Sequence, residues 1–198
     1  VDSYDDIFAL RGSAYDGAMQ SCPDARSQEF RQAIDRAQLK PGMVVADVPA
    51  GGGYMQRYLP ADCQWLPHEP CTTFTSHHAP PDDPGNGQLL PLPWADTSID
   101  TAISIAGVHH LEDKKPLLAE LFRVVRPGGC LVLSDVAAGS PPALFLDDYV
   151  GTFNSTGHDG IFLDEQILQD FDSTGWDVEL HEPVDLLWHF PDTAVMAQ

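Results

Sequence analysis

The residues of this chain best placed to do chemistry lie in "ADVPAGGGYMQRYL", Ala46 to Leu59, where Asp47 is followed by Gly51 and Gly53. An acid ending an apolar run, then glycines, then a helix start describes a ligand-binding turn. Glycine lets the backbone turn sharply and lets a ligand approach main-chain N–H groups at the start of the next element. The dinucleotide fingerprint G-x-G-x-x-G, counted from Gly51 and Gly53, needs glycine where Gln56 stands, so a nicotinamide-dependent oxidoreductase is disfavoured. No Gly-Lys-Ser/Thr follows, which excludes a Walker-type phosphate loop. Glu69 closes a second short apolar segment after the glycines. His109 and His110 invite a general-base role, because an unperturbed imidazole titrates near neutrality, although the pair reads more simply as packing and turn structure. His77-His78 stands among prolines as a solvated loop, and with no second set of ligands no metal site is expected.

These residues need elements to hold them. "SQEFRQAIDRAQLKPG" has Phe30, Ile34 and Ala37 at helical spacing and stops at Pro41-Gly42. "MVVADV", Met43 to Val48, is a continuous apolar run of strand length, which suits a strand buried on both faces of a parallel sheet. "GYMQRYL" is then expected as the following helix and "CQWLPHEP" as a second strand ending near His68-Glu69. "CTTFTSHHAPPDDPGNGQ" is rich in turn formers and fits no full helix. "IDTAISIAG", Ile99 to Gly107, is another strand. "DKKPLLAELFRVVRPGG" is a helix with Leu117, Leu118, Leu121, Phe122 and Val125 as its apolar face, ended by Pro127-Gly128-Gly129. "CLVLSDV" follows as a strand. Strands alternating with helices predict an α/β fold with a doubly wound, mostly parallel sheet. Beyond Asp135, "PPALFLDDYVGTF" and "FLDEQILQDFDSTGW" read as helices, "DVELHEPVDLLWHF" as strand-like, and "DTAVMAQ" as the start of another helix.

Composition bounds the partners. The 198 residues fit one domain of ordinary size, and 30 acidic residues against 10 basic ones leave a net charge of −20. Such a surface repels phosphate backbones and anionic lipid headgroups, so neither nucleic acid nor membrane is expected as a partner. Cys22, Cys63, Cys71 and Cys130 are scattered without a C-x-x-C pair, which fits reduced thiols in a cytoplasm. "VDSYDDIFAL" has no signal-peptide pattern, and starting without Met it reads as a processed or trimmed chain. Asn154-Ser155-Thr156 matches a glycosylation sequon that a cytoplasmic chain would not use.

The ordered motifs resemble those of class I S-adenosylmethionine-dependent methyltransferases, of the methyltransferase type 11 kind. Asp47, Gly51 and Gly53 match the family's D-x-G-x-G-x-G motif, with Ala50 and Gly52 between them and Pro49 in place of the first glycine. "LLPLPWADTSIDTAISIAGVHHLED" and "LLAELFRVVRPGGCLVLSD" match later segments, so the resemblance covers roughly residues 41–136. It implies a Rossmann-like sheet of order 3-2-1-4-5-7-6, the third strand and its preceding helix shortened by Pro80, Pro81 and Pro84. The last strand is either missing from this chain or contained in "VELHEPVDLLWHF", and an unpaired edge would favour a homodimer.

By the same resemblance S-adenosyl-L-methionine is the cofactor. Asp47, Ala50, Gly51, Gly52 and Gly53 would form its turn and Glu69 would accept both ribose hydroxyls. Asn86-Gly87-Gln88 offers no acid for the adenine, so Leu89, Leu90 or the shortened loop itself would hold it, unless the pocket is incomplete. Ala106 would border the cofactor, and Tyr15 in "GSAYDGAM" would help to cover it. Residues 1–40 would be a helical lid, 41–136 the cofactor-binding core, and 137–198 the acceptor-side helices and last strand of a single domain. The acceptor is expected to be a small molecule. The Asp/Asn-Pro-Pro-aromatic motif of amino-methylating relatives is missing, and Ser140-Pro141-Pro142-Ala143 follows the wrong strand. Trp188 and Phe190 could line an acceptor pocket or belong to the core. The alternative is a catalytically inactive relative acting as a binding or regulatory module.

Overall fold

Val44, Val45 and Ala46 have no polar alternation because the strand they form, β1 (Val44–Asp47), is covered on both faces. The computed structural model describes residues 4–75, 88–153, 158 and 160–196, and the side chains of these except 4–11, 72 and 75. β1 pairs in parallel with β2 (Gln64–Pro67) on one side and β3 (Ile99–Ile105) on the other, and β3 pairs in parallel with β4 (Val125–Ser134). The order is β2-β1-β3-β4. The registers Val45↔Thr101, Ala46↔Ala102 and Ala102↔Leu131 align the two faces across the sheet. Val45, Trp65, Ile103 and Val132 face one side and Ala46, Leu66, Ala102 and Leu131 the other, as the period-2 pleat requires.

Each face is closed by a helix. α2 (Ser27–Ala37) buries Phe30, Ala33, Ile34 and Ala37 against the Val45 side. α4 (Lys115–Val124) buries Leu117, Leu118, Leu121 and Val124 against the Ala46 side. Each of those leucines contributes about 1.5–3 kcal/mol by leaving water. Helices on both faces of a parallel sheet make this the doubly wound α/β architecture that the sequence predicts. Phe122 departs from the expected apolar face of α4: it is exposed and stands edge-on to Trp176 at 5.4 Å.

Several expectations are corrected. "YMQRY" forms a single 3-10 segment, Tyr54–Tyr58, in place of a helix, because only five residues separate the glycines from the extended Leu59. The helix before Pro127 ends at Val124, and Val125 already pairs with Ile99, so Arg126 to Gly129 loop out as an irregularity within β4. The described residues between β2 and β3 contain α3 (Thr72–Thr75) and no strand, so the shortened third strand is not seen among them. His77-His78, Pro80, Pro81, Pro84, Asn86-Gly87 and the sequon Asn154-Ser155-Thr156 lie outside the described residues.

The strand expected in "VELHEPVDLLWHF" is not assigned either. Pro183 lacks an N–H for a ladder, and the segment spends its polar groups on α2. The Arg36 guanidinium meets Glu182 at 2.5 Å, Gln32 Nε2 donates to the Asp185 carbonyl, and Leu187 N–H donates to Gln28 Oε1. Trp188 lies on α2 as well, with its Nε1 donating to Glu29 Oε2 at 3.2 Å and Arg26 over its ring.

Further helices precede and follow this core. α1 (Tyr4–Ser21) precedes α2, and α5 (Pro141–Leu144) continues through a π-helical stretch, Phe145–Val150, into α6 (Gly151–Phe153). α7 (Gln166–Ser173) and α8 (Thr193–Met196) follow. No described helix is long and apolar enough to cross a membrane.

Candidate functional site

From β1 the chain moves outward to β2 and then crosses back to β3 on the opposite side of β1, which makes the gap between β1 and β3 the switch point of the sheet. Ligands in open α/β sheets bind there, outside the carboxyl ends of the strands. The carboxyl edge carries the Asp47–Gly53 turn, His68-Glu69, Ala106 to His110, and Asp135.

The turn is built from backbone bonds. Val48 N–H donates to the Ile103 carbonyl, Ala50 N–H to the His68 carbonyl, and Gly53 N–H to the Ala50 carbonyl at 3.0 Å. Gly51 and Gly53 take φ of +53° and +75°, which a side chain resists. Pro49 follows a cis peptide bond and packs on Gly107, where an added Cβ would lie 2.5 Å from its Cγ. The proline that replaces the motif's first glycine is therefore accommodated by a glycine at the end of β3. Sequence reasoning missed this pairing, and the adjacency of "DVP" and "SIAG" in a parallel sheet is the signal that could have found it.

Glu69 is buried, and its carboxylate lies at the turn. Oε2 accepts from Gly51 N–H at 2.7 Å and Oε1 from Cys71 N–H at 2.9 Å. Asp47 is buried behind it and accepts a hydrogen bond from Trp65 Nε1 at 3.2 Å. Burial pushes its carboxyl up to about 7, with the Glu69 charge adding to the rise and the Trp65 bond opposing it. Leu89 and Leu90 are half-buried against the core cluster of Val48 and Val108, and the Leu89 carbonyl pairs with His68 Nε2 at 2.9 Å. Ala106 is half-buried at φ +50° and donates its N–H to the Ser134 carbonyl.

α1 lies over the turn. Tyr15 sits 6.1 Å from the Tyr54 ring and edge-on to Phe74 at 5.9 Å, while Tyr54 Oη donates to Asp16 Oδ1 at 2.8 Å. A Cβ on Gly52 would strike the Tyr54 ring, so Tyr54 fills the space beside the glycines. Arg26 anchors the helix: it is buried, forks onto Glu29 at 2.7 and 2.6 Å, and bonds the Tyr15 hydroxyl. Burial opposes its charge, but Tyr15 and Glu29 hold the guanidinium protonated. Two surface clefts, about 480 Å³ lined by Gln28, Arg31 and Leu187 and about 400 Å³ lined by Leu168, Trp176 and His181, lie away from the turn.

At the neighbouring strand ends, Asp135 gathers the turn Val108–His110. Its carboxylate accepts N–H bonds from Val108 (2.8 Å), His109 (3.2 Å) and Val136 (2.7 Å), and it pairs with His109 Nδ1 at 2.7 Å. Burial alone would raise this carboxyl, yet the bond and charge of His109 with the backbone N–H groups hold it below the usual range. His109, singled out by sequence, is therefore a buried imidazole oriented by a carboxylate.

An acid-and-glycine turn at the switch point of a doubly wound sheet, with a second buried acid at the end of β2, defines a nucleoside-cofactor fold of the class I methyltransferase kind. Residues 46–133 match the family model described as "Methyltransferase domain". The chain is 31% identical to the malonyl-[acyl-carrier protein] O-methyltransferase of Pseudescherichia vulneris, over 67% of this chain and 55% of that protein. It is 33% identical to the demethylmenaquinone methyltransferase of Renibacterium salmoninarum, over 53% of this chain and 46% of that protein. The chain thus spans about half the length of these relatives. A SAM-dependent methyltransferase from Thermotoga maritima superposes with a TM-score of 0.63 at 18% identity, over 93% of this chain and 92% of that one. Phosphoethanolamine N-methyltransferase 2 of Haemonchus contortus, in complex with S-adenosyl-L-methionine, superposes with 0.64 at 17% identity, over 88% and 44%. Residues 46–133 thus carry a methyltransferase domain, and the chain has the class I S-adenosylmethionine-dependent methyltransferase fold.

Proposed function

We propose that this chain transfers a methyl group from S-adenosyl-L-methionine to a small-molecule acceptor. The observation that carries the reading is the cradle at the switch point, where two positive-φ glycines bring main-chain N–H groups beside the buried Glu69 carboxylate. The residues fit a nucleoside. Glu69 would accept the ribose hydroxyls in exchange for the N–H groups of Gly51 and Cys71. Leu89 and Leu90 would present apolar surface to the adenine, and Ala50, Gly52 and Ala106 would border the cleft. Asp47, facing Trp65, would shape the turn from behind. Tyr15, Tyr54 and Phe74 would close over it, with residues 1–40 acting as the lid of a single domain.

When bound, the cofactor supplies a methyl group already activated on a sulfonium. The chain's own work is then alignment and exclusion of water, so a strong base is not demanded. The acidic surface favours a small acceptor over nucleic acid or membrane, and the scattered cysteines favour a cytoplasmic site of action. Among the described residues β4 is the last strand of the sheet, and pairing of two copies there would give a homodimer. A methyl-labelled cofactor offered with a panel of small carboxylic, phenolic and amine acceptors tests this; labelled product, lost in Glu69→Ala, is expected.

A second reading, a non-catalytic binding module, is favoured by one observation: Glu69, Tyr54 and Tyr15 already occupy the turn, and the two surface clefts named above lie elsewhere. Cofactor binding without turnover across the panel would select it.

A further inference from the structure

Beyond the turn, the adjacent His109 and His110 meet His158, distant in sequence, at the carboxyl ends of β3 and β4. One ring nitrogen from each of His109, His110 and His158 lies within 4.8 Å of the others. The rings are 4.0 Å apart for His109 and His110, 5.6 Å for His109 and His158, and 5.8 Å for His110 and His158. The side chains of His109 and His158 are 7% and 6% exposed, so the cluster is withdrawn from water. Phe162 flanks it at 5.9 and 6.0 Å from the rings of His109 and His158.

The backbone holds this assembly together. Ile161 N–H donates to the His109 carbonyl at 2.8 Å, and Lys114 Nζ donates to the carbonyls of Ile161 and Leu111. Leu163 N–H donates to the Val136 carbonyl, which pins the other end of the same segment to the end of β4. Two of the imidazoles are also oriented by carboxylates. Asp135 takes Nδ1 of His109 at 2.7 Å, and Asp147 takes Nδ1 of His158 at 3.1 Å. A carboxylate on one nitrogen fixes the tautomer and raises the basicity of the other, which is the outer arrangement of metal-ligating histidines.

We propose that His109, His110 and His158 form a binding site for a divalent transition metal of the zinc, cobalt or nickel class. Imidazole donors suit these ions, whereas magnesium and calcium require oxygen ligands. Ligand nitrogens about 3.4 Å apart follow from a Zn–N bond of about 2.0–2.1 Å in tetrahedral geometry. The cluster closes to that spacing by ring movements of less than about 1 Å. Three protein ligands leave a fourth position open, which takes a small ligand with an oxygen or nitrogen donor. The site stands on its own geometry, independent of methyl transfer.

Titration of the metal-free chain with Co²⁺, read by visible absorption, tests it without reference to activity. One equivalent is expected to give the ligand-field bands of a low-coordinate nitrogen site, in the presence of excess Mg²⁺. The many surface acids make variants necessary as controls. His158→Gln should abolish the bands, Asp147→Asn should weaken affinity by about 10-fold or more, and Asp148→Asn should leave it unchanged. Bands that persist in both His158→Gln and His110→Ala, or binding without such bands, would overturn the proposal. If either variant unfolds, proton NMR of the wild-type Co²⁺ form decides: three hyperfine-shifted imidazoles support the site and fewer than three refute it.

Discussion

Asp47 and Pro49 depart most clearly from a generic glycine turn, and each carries a measurable consequence. Asp47 is ionised in the unfolded chain above its ordinary value of 3.8 but stays protonated in the fold up to about 7. The folded state thus holds more protons across that window, so the stability contributed by the neutral carboxyl falls as pH rises through it. Asp47→Asn should remove this dependence. Thermal unfolding from about pH 4 to about pH 8 should show the variant gaining on the wild type as pH rises, by a few kcal/mol at the upper end; a constant difference would contradict the assignment. Pro49 and Gly107 should behave as a pair. Gly107→Ala forces a methyl group into the Pro49 ring and should cost about 1–3 kcal/mol by overpacking. In a Pro49→Gly background the same substitution should cost markedly less, and an equal cost in both backgrounds would show that the two residues are uncoupled.

The elements show what was legible and what was not. α2, β1, β3 and α4 were readable because their apolar residues follow the periods their packing requires, with Phe30, Ile34 and Ala37 on one side of the sheet and Leu117, Leu118 and Leu121 on the other. Another local element depended on a partner that no period reveals. Arg123 donates to the carbonyls of Leu92 (3.1 Å) and Trp94 (2.9 Å) and to Asp96, while Glu120 accepts the Leu92 N–H. This clamp fixes the "LPWAD" segment that precedes β3. Arg123→Met should destabilise by about 1–3 kcal/mol and speed hydrogen exchange at Leu92 to Thr97; unchanged exchange there would remove the clamp from the account. The 176–190 segment was misread for a related reason. Its alternation suits a strand, but α2 side chains satisfy its backbone, and sequence patterns do not report such long-range partners. In the same way the glycine turn and Glu69 were legible as a candidate site, whereas His158, far from His109 in sequence, is brought to it by long-range bonds such as those of Ile161 and Leu163 and by its pairing with Asp147.

At the scale of the whole molecule, the charge of −20 opposes compaction and sets how the protein responds to salt. Raising ionic strength from about 0.01 M to about 0.15 M shortens the screening length from about 30 to about 8 Å, so the unfolding temperature should rise by several degrees over that interval. A flat response would mean that the acids are already neutralised by their local partners. The central claim concerns the switch point of the sheet: its glycine turn and Glu69 hold a sulfonium nucleoside. Isothermal titration of the full chain with S-adenosyl-L-methionine and with its demethylated product tests that claim most directly. One equivalent of each should bind, and Gly51→Asp and Glu69→Ala should each weaken binding by about 10-fold or more (about 1.4 kcal/mol) while the circular dichroism of the fold is retained. No heat of binding at millimolar ligand, or equal affinity in the folded variants, would contradict it.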